Sequence, residues 1–280
     1  MILYVNGCSH TWGSVVKCHE SYAHIFMESV VGKNYKVLDI NPKEINSGDT
    51  FQLLSKIDNN NHYLIKAASN GKGNAMIYQE TLWHLLMMEK YNIKIDYIIT
   101  QFSGQSRNFY VLPEGNLHHI TAHDEPEKGL LFNPIGGFQS LILMYSLQEI
   151  LKSKNYKFLI MPYHDIQSSE RTEQFDKDCF DLNYFTCHPL EGHRFDFLKR
   201  GLAGDSPGHA DYFGHWFLAN ICLEKLGLED FEIGFFDFFK DYTRRKLTHQ
   251  NLPTKKFNKK HLRELTDEGD NASLEKIKNS

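Results

Sequence analysis

Residues 1 to 9 read Met-Ile-Leu-Tyr-Val-Asn-Gly-Cys-Ser, an apolar run that stops abruptly at a glycine. An uninterrupted apolar run of this length is typical of a strand that is covered on both faces in a parallel sheet. The glycine predicts a tight turn at the carboxyl end of that strand, and Ser9 lies on the turn. Ligands of open α/β sheets bind at this edge. We therefore expect the Ser9 hydroxyl to face a crevice rather than the core.

Strand and helix patterns alternate along the rest of the chain. Apolar runs predict further strands at 37–40, 63–67, 96–102 and 156–162. Helical periodicity occupies 22–32, 75–89, 138–152 and 212–226, and Ser21 precedes the first of these helices as a candidate N-cap. Such alternation predicts crossover connections and a parallel sheet between two layers of helices. We expect an α/β fold, a three-layer α/β/α sandwich with a central, mainly parallel five-stranded sheet.

Two stretches depart from this alternation. Residues 103–137 are polar and rich in histidine, and they predict a long loop that, with the aromatic segment 180–197, lines a substrate crevice. Residues 229–280 are aromatic and then charged. We therefore expect an α/β domain over 1–228 and a C-terminal extension over 229–280 that is partly helical or mobile.

Composition limits the class of protein. The chain has 280 residues, of which 41% are hydrophobic, enough for a full core. Its net charge of -4 argues against nucleic acid as the main partner. Its five cysteines contain no C-x-x-C pair, which favours reduced thiols over a disulfide framework or a zinc site. The sequence shows no leader pattern and no apolar run of membrane-spanning length, so we expect a cytoplasmic protein; a virus-encoded protein would have the same features.

Serine chemistry requires a base, and one histidine stands out among fifteen. A serine hydroxyl is a poor nucleophile unless a histidine accepts its proton, and a third group usually fixes the histidine tautomer. His209 ends the segment Asp205-Ser-Pro-Gly-His209, which runs directly into the last predicted helix. A loop in that place can carry a base to the carboxyl edge of the sheet.

These residues resemble the conserved blocks of the SGNH or GDSL hydrolases, whose fold is the flavodoxin-like form of this sandwich. The first block, Gly-Asp-Ser after the first strand, is similar to Gly7-Cys8-Ser9, with cysteine in place of aspartate. The second block offers a glycine N–H and then an asparagine, as in Gly71-Lys-Gly-Asn74. The last block is matched by His209, Gly214 and Ala219. The resemblance covers roughly residues 1 to 228.

The sequence departs from the family pattern in two more places. The family has an aspartate three residues before the histidine, whereas Asp205 lies four before His209 and Ser206 lies three before it. A Ser-His dyad is therefore an alternative to a triad. The family's Gly-x-Asn-Asp block is replaced by the segment 101–108, in which Asn108 is spaced too widely from Gly104. Gln101, Ser103 or Arg107 could serve there instead, or the oxyanion hole could be incomplete.

The resemblance implies a role for each of these residues. Ser9 would attack a carbonyl carbon, His209 would act as general base and then acid, and Asp205 would orient His209. The oxyanion hole would consist of the backbone N–H of Cys8 or Ser9, the backbone N–H of Gly71 and the Asn108 side chain. Residues expected to contact substrate are His10, Asn74, Gln101, Ser103 and Arg107. The resemblance requires no metal and no cofactor.

The expected activity is that of a serine esterase that hydrolyses a small ester, such as an O-acetyl group on a carbohydrate. The expected partner is a small-molecule or carbohydrate ester, without nucleic acid or membrane, and the oligomeric state stays open. Two alternatives remain. The chain could be a non-catalytic binding or assembly protein that retains the fold, or an acyltransferase that uses the same Ser-His pair.

Three other features have simpler interpretations. Cys8 could be a nucleophile, but a free cysteine beside a strand end is usually a small buried hydrophobe. His118, His119, His123 and Asp124 have metal-binding side chains, yet long solvated loops collect such residues without function. The glycines around Lys72 precede a helix, as in phosphate-binding loops, but lack the G-x-x-x-x-G-K-[ST] spacing.

Overall fold

The chain forms a five-stranded parallel sheet between two layers of helices. The computed structural model describes residues 1–13, 16, 18–40, 47–69, 72–104, 108–111, 117–120, 126–163, 179–190 and 209–228. The strands of the sheet lie in the order β2-β3-β1-β4-β7 and all neighbours are parallel. Their bounds are β1 Ile2–Asn6, β2 Lys36–Asp39, β3 Tyr63–Lys66, β4 Tyr97–Phe102 and β7 Phe158–Pro162. The expected α/β/α sandwich is thus confirmed.

Six α-helices are described. They are α1 Ser9–Trp12, α2 Tyr22–Val31, α3 Ser47–Leu54, α4 Asn74–Lys90, α5 Pro126–Ser153 and α6 Tyr212–Lys225. Short 3-10 turns occupy Cys18–Glu20 and Leu182–Tyr184. No helix within the described ranges is both long and apolar enough to cross a membrane.

The two faces of the sheet bury alternate residues of each strand. Leu3 and Val5 of β1 pack with residues of α2 and α6 on one face. Ile2 and Tyr4 pack with residues of α4 and α5 on the other. Because side chains alternate along a strand, a strand covered on both faces must be apolar throughout. This explains the unbroken apolar run at the start of the sequence. Burial of each large apolar side chain in the run contributes about 1.5–3 kcal/mol to the free energy of unfolding.

Strand β1 lies at the centre of the sheet. Val5 is paired with Lys66 of β3 on one side and with Ile99 of β4 on the other. The carboxyl ends of these three strands therefore meet at one edge, where the turn after Asn6 leads into α1. The structure places Ser9 at that edge, as the sequence predicts.

The stretch 103–137 is not a simple loop, so that expectation is wrong. It contains two antiparallel strands, β5 Asn108–Val111 and β6 Leu117–Ile120, and the first turns of α5. Aromatic and β-branched residues favour the short strands, and Pro126 is suited to a first helical position. Such short elements depend on pairing partners that a single-sequence pattern does not show.

Helix ends are set by local residues. Ser21 occupies the N-cap of α2 but makes no side-chain capping hydrogen bond, so only the position of this helix start is confirmed. Gly32 ends α2 with a φ of 67°. Asp211 caps α6 by accepting a hydrogen bond from the Gly214 N–H at 2.9 Å. The expected extension at 229–280 lies outside the described residues.

Candidate active site

Ser9 is the first residue of α1, a single helical turn that follows β1. The Trp12 N–H donates to the Cys8 carbonyl at 3.0 Å, and the Gly13 N–H donates to the Ser9 carbonyl at 3.0 Å. Gly13 closes the turn in the left-handed region, with a φ of 82°. This region is unfavourable for residues with a Cβ, so the glycine allows the chain to leave the helix immediately. Ser9 is 5% exposed.

Gly7 is required by close packing beneath this turn. A Cβ at Gly7 would lie 2.1 Å from Thr11 Oγ1 and 3.0 Å from Gln101 Cβ. Thr11 Oγ1 donates a short hydrogen bond to Gln101 Oε1 and accepts one from the Tyr22 hydroxyl at 3.3 Å. The glycine thus lets α1 approach β4 closely enough for a side-chain link between them.

His209 faces Ser9 from the other end of the chain. His209 Nε2 lies 2.9 Å from Ser9 Oγ, within the range for a hydrogen bond between a nucleophile and its general base. His209 is partly buried and lies two residues before Asp211, the N-cap of α6. Fixing the start of α6 therefore also fixes the segment that presents the imidazole.

His215 lies six residues after His209, in the first turn of α6, and it supports this arrangement as a neutral group. Its Nδ1 accepts a hydrogen bond from the Tyr22 N–H at 3.3 Å, and the two rings stack with centroids 6.2 Å apart. Burial, together with the smaller effects of the charges of Lys66 and His209, lowers the pKa of His215 to about 3. A neutral imidazole can accept from a backbone N–H, so His215 ties α6 to the start of α2.

Lys66 is a buried cation that the sequence patterns did not single out. Its side chain is fully buried at the end of β3. Lys66 Nζ donates to the Trp12 carbonyl at 3.0 Å and lies 4.6 Å from the centre of the Trp12 ring. An ammonium group at the carboxyl end of a helix is favourable for the helix dipole, and the ring face attracts it. Lys66 therefore holds the end of α1.

Asn6 is a second buried polar residue beside the turn. Its Nδ2 donates to the Ile77 carbonyl and to Thr81 Oγ1, each at 3.0 Å. Its Oδ1 accepts from the Gly7 N–H at 2.8 Å. A polar residue that interrupts an apolar run just before a glycine is the sequence signal that could have identified it. Asn6 links the turn that carries Ser9 to α4.

Two residues expected to contact substrate are hydrogen-bonded to protein atoms, and their contact with substrate stays a prediction. Gln101 is fully buried, and its Nε2 contacts Met161 Sδ at 3.4 Å while its Oε1 accepts from Thr11. Asn74 Nδ2 donates to the Ser103 carbonyl at 3.1 Å and to Ser140 Oγ at 2.7 Å. Asn74 Oδ1 also accepts from the Ser103 N–H at 2.6 Å. Both amide groups are engaged by protein atoms beneath or beside the crevice.

Ser103 remains at the sheet edge, where the sequence predicts it. It follows β4 directly and is 5% exposed. Its hydroxyl is buried and has no hydrogen-bond partner within the ranges that the structure describes.

Cys8 is a fully buried free thiol, and this environment is expected of a small hydrophobe rather than of a nucleophile.

Several predicted site residues lie outside the described part of the chain. They are Asp205, Gly71 and Arg107, together with the side chains of His10 and Asn108. The predicted triad acid and two predicted oxyanion donors therefore stay predictions. The side chains of His118 and His119, and residues His123 and Asp124, also lie outside the described part. Among the residues that are described, no group of three or more His, Cys, Asp and Glu could hold a metal ion.

Comparison with known families finds no matching family, and comparison with curated proteins finds no matching relative. Among solved structures, the fold is similar to an acetyl xylan esterase, AlAXEase, at 16% identity and a TM-score of 0.41, over 80% of this chain and 98% of that chain. It is also similar to a member of the lipolytic protein G-D-S-L family from Veillonella parvula DSM 2008, at 12% identity and a TM-score of 0.41, over 80% of this chain and 96% of that one. Because both TM-scores are low, the site is assigned from the geometry of this chain's own residues.

Proposed function

We propose that the protein is a serine hydrolase that cleaves a small carboxylic ester. The observation that carries the proposal is the 2.9 Å contact between Ser9 Oγ and His209 Nε2 at the carboxyl edge of the sheet. A hydroxyl on a tight turn, an imidazole in hydrogen-bond contact with it and a rigid support for both are the elements of nucleophilic catalysis. The sequence resemblance to the SGNH hydrolases supports the same assignment.

In the proposed reaction, His209 Nε2 accepts the proton of the Ser9 hydroxyl while Oγ attacks the ester carbonyl carbon. The protonated imidazole then donates that proton to the leaving alcohol, which departs and leaves an acyl group on Oγ. A water molecule, deprotonated by His209, then attacks the acyl carbon; the bond to Oγ breaks, the protonated His209 returns its proton to Ser9 Oγ, and the acid is released. Asp205 would orient His209 in a triad; without it, the pair would act as a dyad.

The charge that develops on the carbonyl oxygen needs hydrogen-bond donors. Ser9 is the first residue of α1, and N–H groups in the first turn of a helix have no acceptor within the helix. The backbone N–H of Ser9 or Cys8 would supply one donor and that of Gly71 a second, with the Asn108 side chain as a third. Loss of one such donor typically raises the barrier by about 3 kcal/mol.

The proposed substrate is an ester of a small acyl group, such as an O-acetyl group on a carbohydrate. This choice rests on the sequence resemblance. The proposed reaction needs no cofactor. We place the protein in the cytoplasm, a reducing setting supported by the free thiols of Cys8, Cys179, Cys187 and Cys222.

A fluorophosphonate probe tests the assignment directly. We expect a single adduct on Ser9, located by mass spectrometry, and hydrolysis of aryl acetates that falls by roughly 10³-fold or more in Ser9→Ala and His209→Gln. Ser153→Ala is the matched control, because Ser153 lies exposed at the end of α5 and donates only to the Ile150 carbonyl. Absence of both labelling and turnover in the parent protein would overturn the hydrolase proposal and favour a binding or assembly protein.

A further inference from the structure

Lys72 is a buried lysine whose ammonium group has three protein acceptors. Lys72 Nζ donates to Asn6 Oδ1 at 3.0 Å, to the Ala67 carbonyl and to Glu80 Oε2, the last two as short contacts. The Lys72 side chain is fully buried, and that of Glu80 is 14% exposed. An ammonium group has three hydrogens, so each of them has a partner here.

Each acceptor belongs to a different segment around the nucleophile turn. Asn6 ends β1 and receives the Gly7 N–H on the same oxygen that receives Lys72. Ala67 follows β3 directly, and Glu80 lies in the second turn of α4. Lys72 itself lies in the connection from β3 to α4, directly after Gly71 in the sequence. One ammonium group therefore joins the end of β1, the end of β3 and the body of α4.

A gain in the free energy of unfolding does not explain why Lys72 and Glu80 are buried together. Removing both charges of a buried pair from water costs roughly as much as their attraction returns, so such pairs often add little to the free energy of unfolding. Burial lowers the pKa of Lys72, while the charge of Glu80 opposes that shift. The pair instead fixes the positions of the three acceptors, because a buried cation with three directed hydrogen bonds tolerates little displacement of its acceptors.

We propose that Lys72 is a positioning residue that fixes the Ser9 turn, through Asn6, against the end of β3 and the body of α4. The catalytic part of this proposal rests on the proposed function. Its structural part, the coupling of the Gly7 turn to Ala67 and Glu80, does not. In the proposed reaction, Ser9 Oγ must reach the carbonyl carbon in a defined orientation. A displacement of about 1 Å in its position can cost about 100-fold in rate.

The test compares Lys72→Met with a matched control, Lys154→Met. The methionine side chain is similar in length to that of lysine, but it makes none of the three hydrogen bonds. Lys154 also pairs with a glutamate of α4, Glu89, but at an exposed position where Nζ and Oε1 lie 2.6 Å apart. For Lys72→Met we expect kcat on an aryl acetate to fall by about 100-fold, and the rate of fluorophosphonate labelling of Ser9 to fall in parallel. KM should change by less than about threefold. Lys154→Met should leave all three unchanged.

Amide hydrogen exchange gives a readout that does not depend on activity. The Gly7 amide donates to Asn6 Oδ1, and the Ser69 amide donates to the Gly7 carbonyl at 3.2 Å. Both amides should exchange faster in Lys72→Met, while the amides of Val5 and Ile99 in the sheet keep their protection. The variant Lys72→Met/Glu80→Gln leaves no charge uncompensated, and it should show the same pattern if the single variant does not fold.

Wild-type kcat and unchanged exchange at Gly7 and Ser69, in whichever of the two variants folds, would overturn the proposal. Loss of protection across the whole sheet would also overturn it, because Lys72 would then be a general stabilising residue. If the parent protein neither labels nor hydrolyses esters, the proposed function fails. The exchange at Gly7 would still decide whether Lys72 fixes the turn.

Discussion

Gly7→Ala is the sharpest test of how the structure holds its nucleophile. An added Cβ would lie 2.1 Å from Thr11 Oγ1, 2.9 Å from Thr11 Cβ and 3.0 Å from Gln101 Cβ. Rotating the Thr11 side chain moves Oγ1 away but breaks its hydrogen bond to Gln101. Thr11 Cβ can move only with the backbone of α1, by about 0.5 Å to reach ordinary van der Waals contact. The substitution therefore displaces the turn that carries Ser9.

Two magnitudes follow from this displacement. Overpacking of this kind costs about 1–3 kcal/mol of unfolding free energy. A shift of roughly half an ångström to one ångström in the nucleophile costs about 10- to 100-fold in kcat. Urea unfolding measures the first, and aryl acetate hydrolysis with fluorophosphonate labelling measures the second.

Gly32→Ala is the matched control. Gly32 has a φ of 67° and a ψ of -156°, a region that almost only glycine occupies, but no atom lies within 4 Å of an added Cβ. Alanine there should cost about 1–3 kcal/mol of stability through backbone strain and leave kcat unchanged. The reasoning is refuted if Gly7→Ala folds and keeps wild-type kcat, because the packing between Gly7 and Thr11 would then not govern the position of Ser9.

Three further outcomes are expected. Thr11→Val should lower the unfolding free energy by about 1–3 kcal/mol in urea titrations, because Gln101 Oε1 loses its buried donor, whereas Thr11→Ser should retain most of it. Asp211→Ala should cost about 1 kcal/mol by removing the cap of α6, and Asp211→Asn should restore it. Burial lowers the pKa of both His84 and His215 from 6.5 to about 3, so below pH 6.5 the unfolded chain binds protons that the folded chain does not. Stability should therefore fall as the pH drops from 6.5 towards 3, by at most about 1.4 kcal/mol per pH unit for each histidine, and a flat thermal unfolding midpoint across that range would contradict this.

Sequence reasoning succeeded where periodicity and order along the chain carry the information. The apolar run before Gly7 identified a strand covered on both faces, and its abrupt end placed Ser9 at the sheet edge. His209 was singled out because its segment leads into a strongly apolar helix, and the structure brings its imidazole to Ser9.

The same reasoning could not show which polar residues have hydrogen-bond partners that are distant in sequence. Asn74 and Gln101 stay predicted substrate contacts, and the structure shows that their amides are hydrogen-bonded to Ser103, Ser140 and Thr11. A buried polar group must be hydrogen-bonded, and which group satisfies it depends on the packing of separate elements. Lys66 and Lys72 were overlooked as buried cations for a related reason, since a lysine is nearly always exposed unless a partner accompanies it into the interior.

The contact between Ser9 and His209 joins residues 200 positions apart. During synthesis, the ribosome therefore delivers Ser9 early and His209 only after the strands of the sheet. A nascent or truncated chain that ends before residue 209 lacks the imidazole that contacts Ser9, even if its sheet has formed. Helix α6 must also dock on α2 before the imidazole is held in place. In the proposed hydrolase, the order of the chain would therefore keep Ser9 unactivated until His209 has been synthesised and α6 has docked.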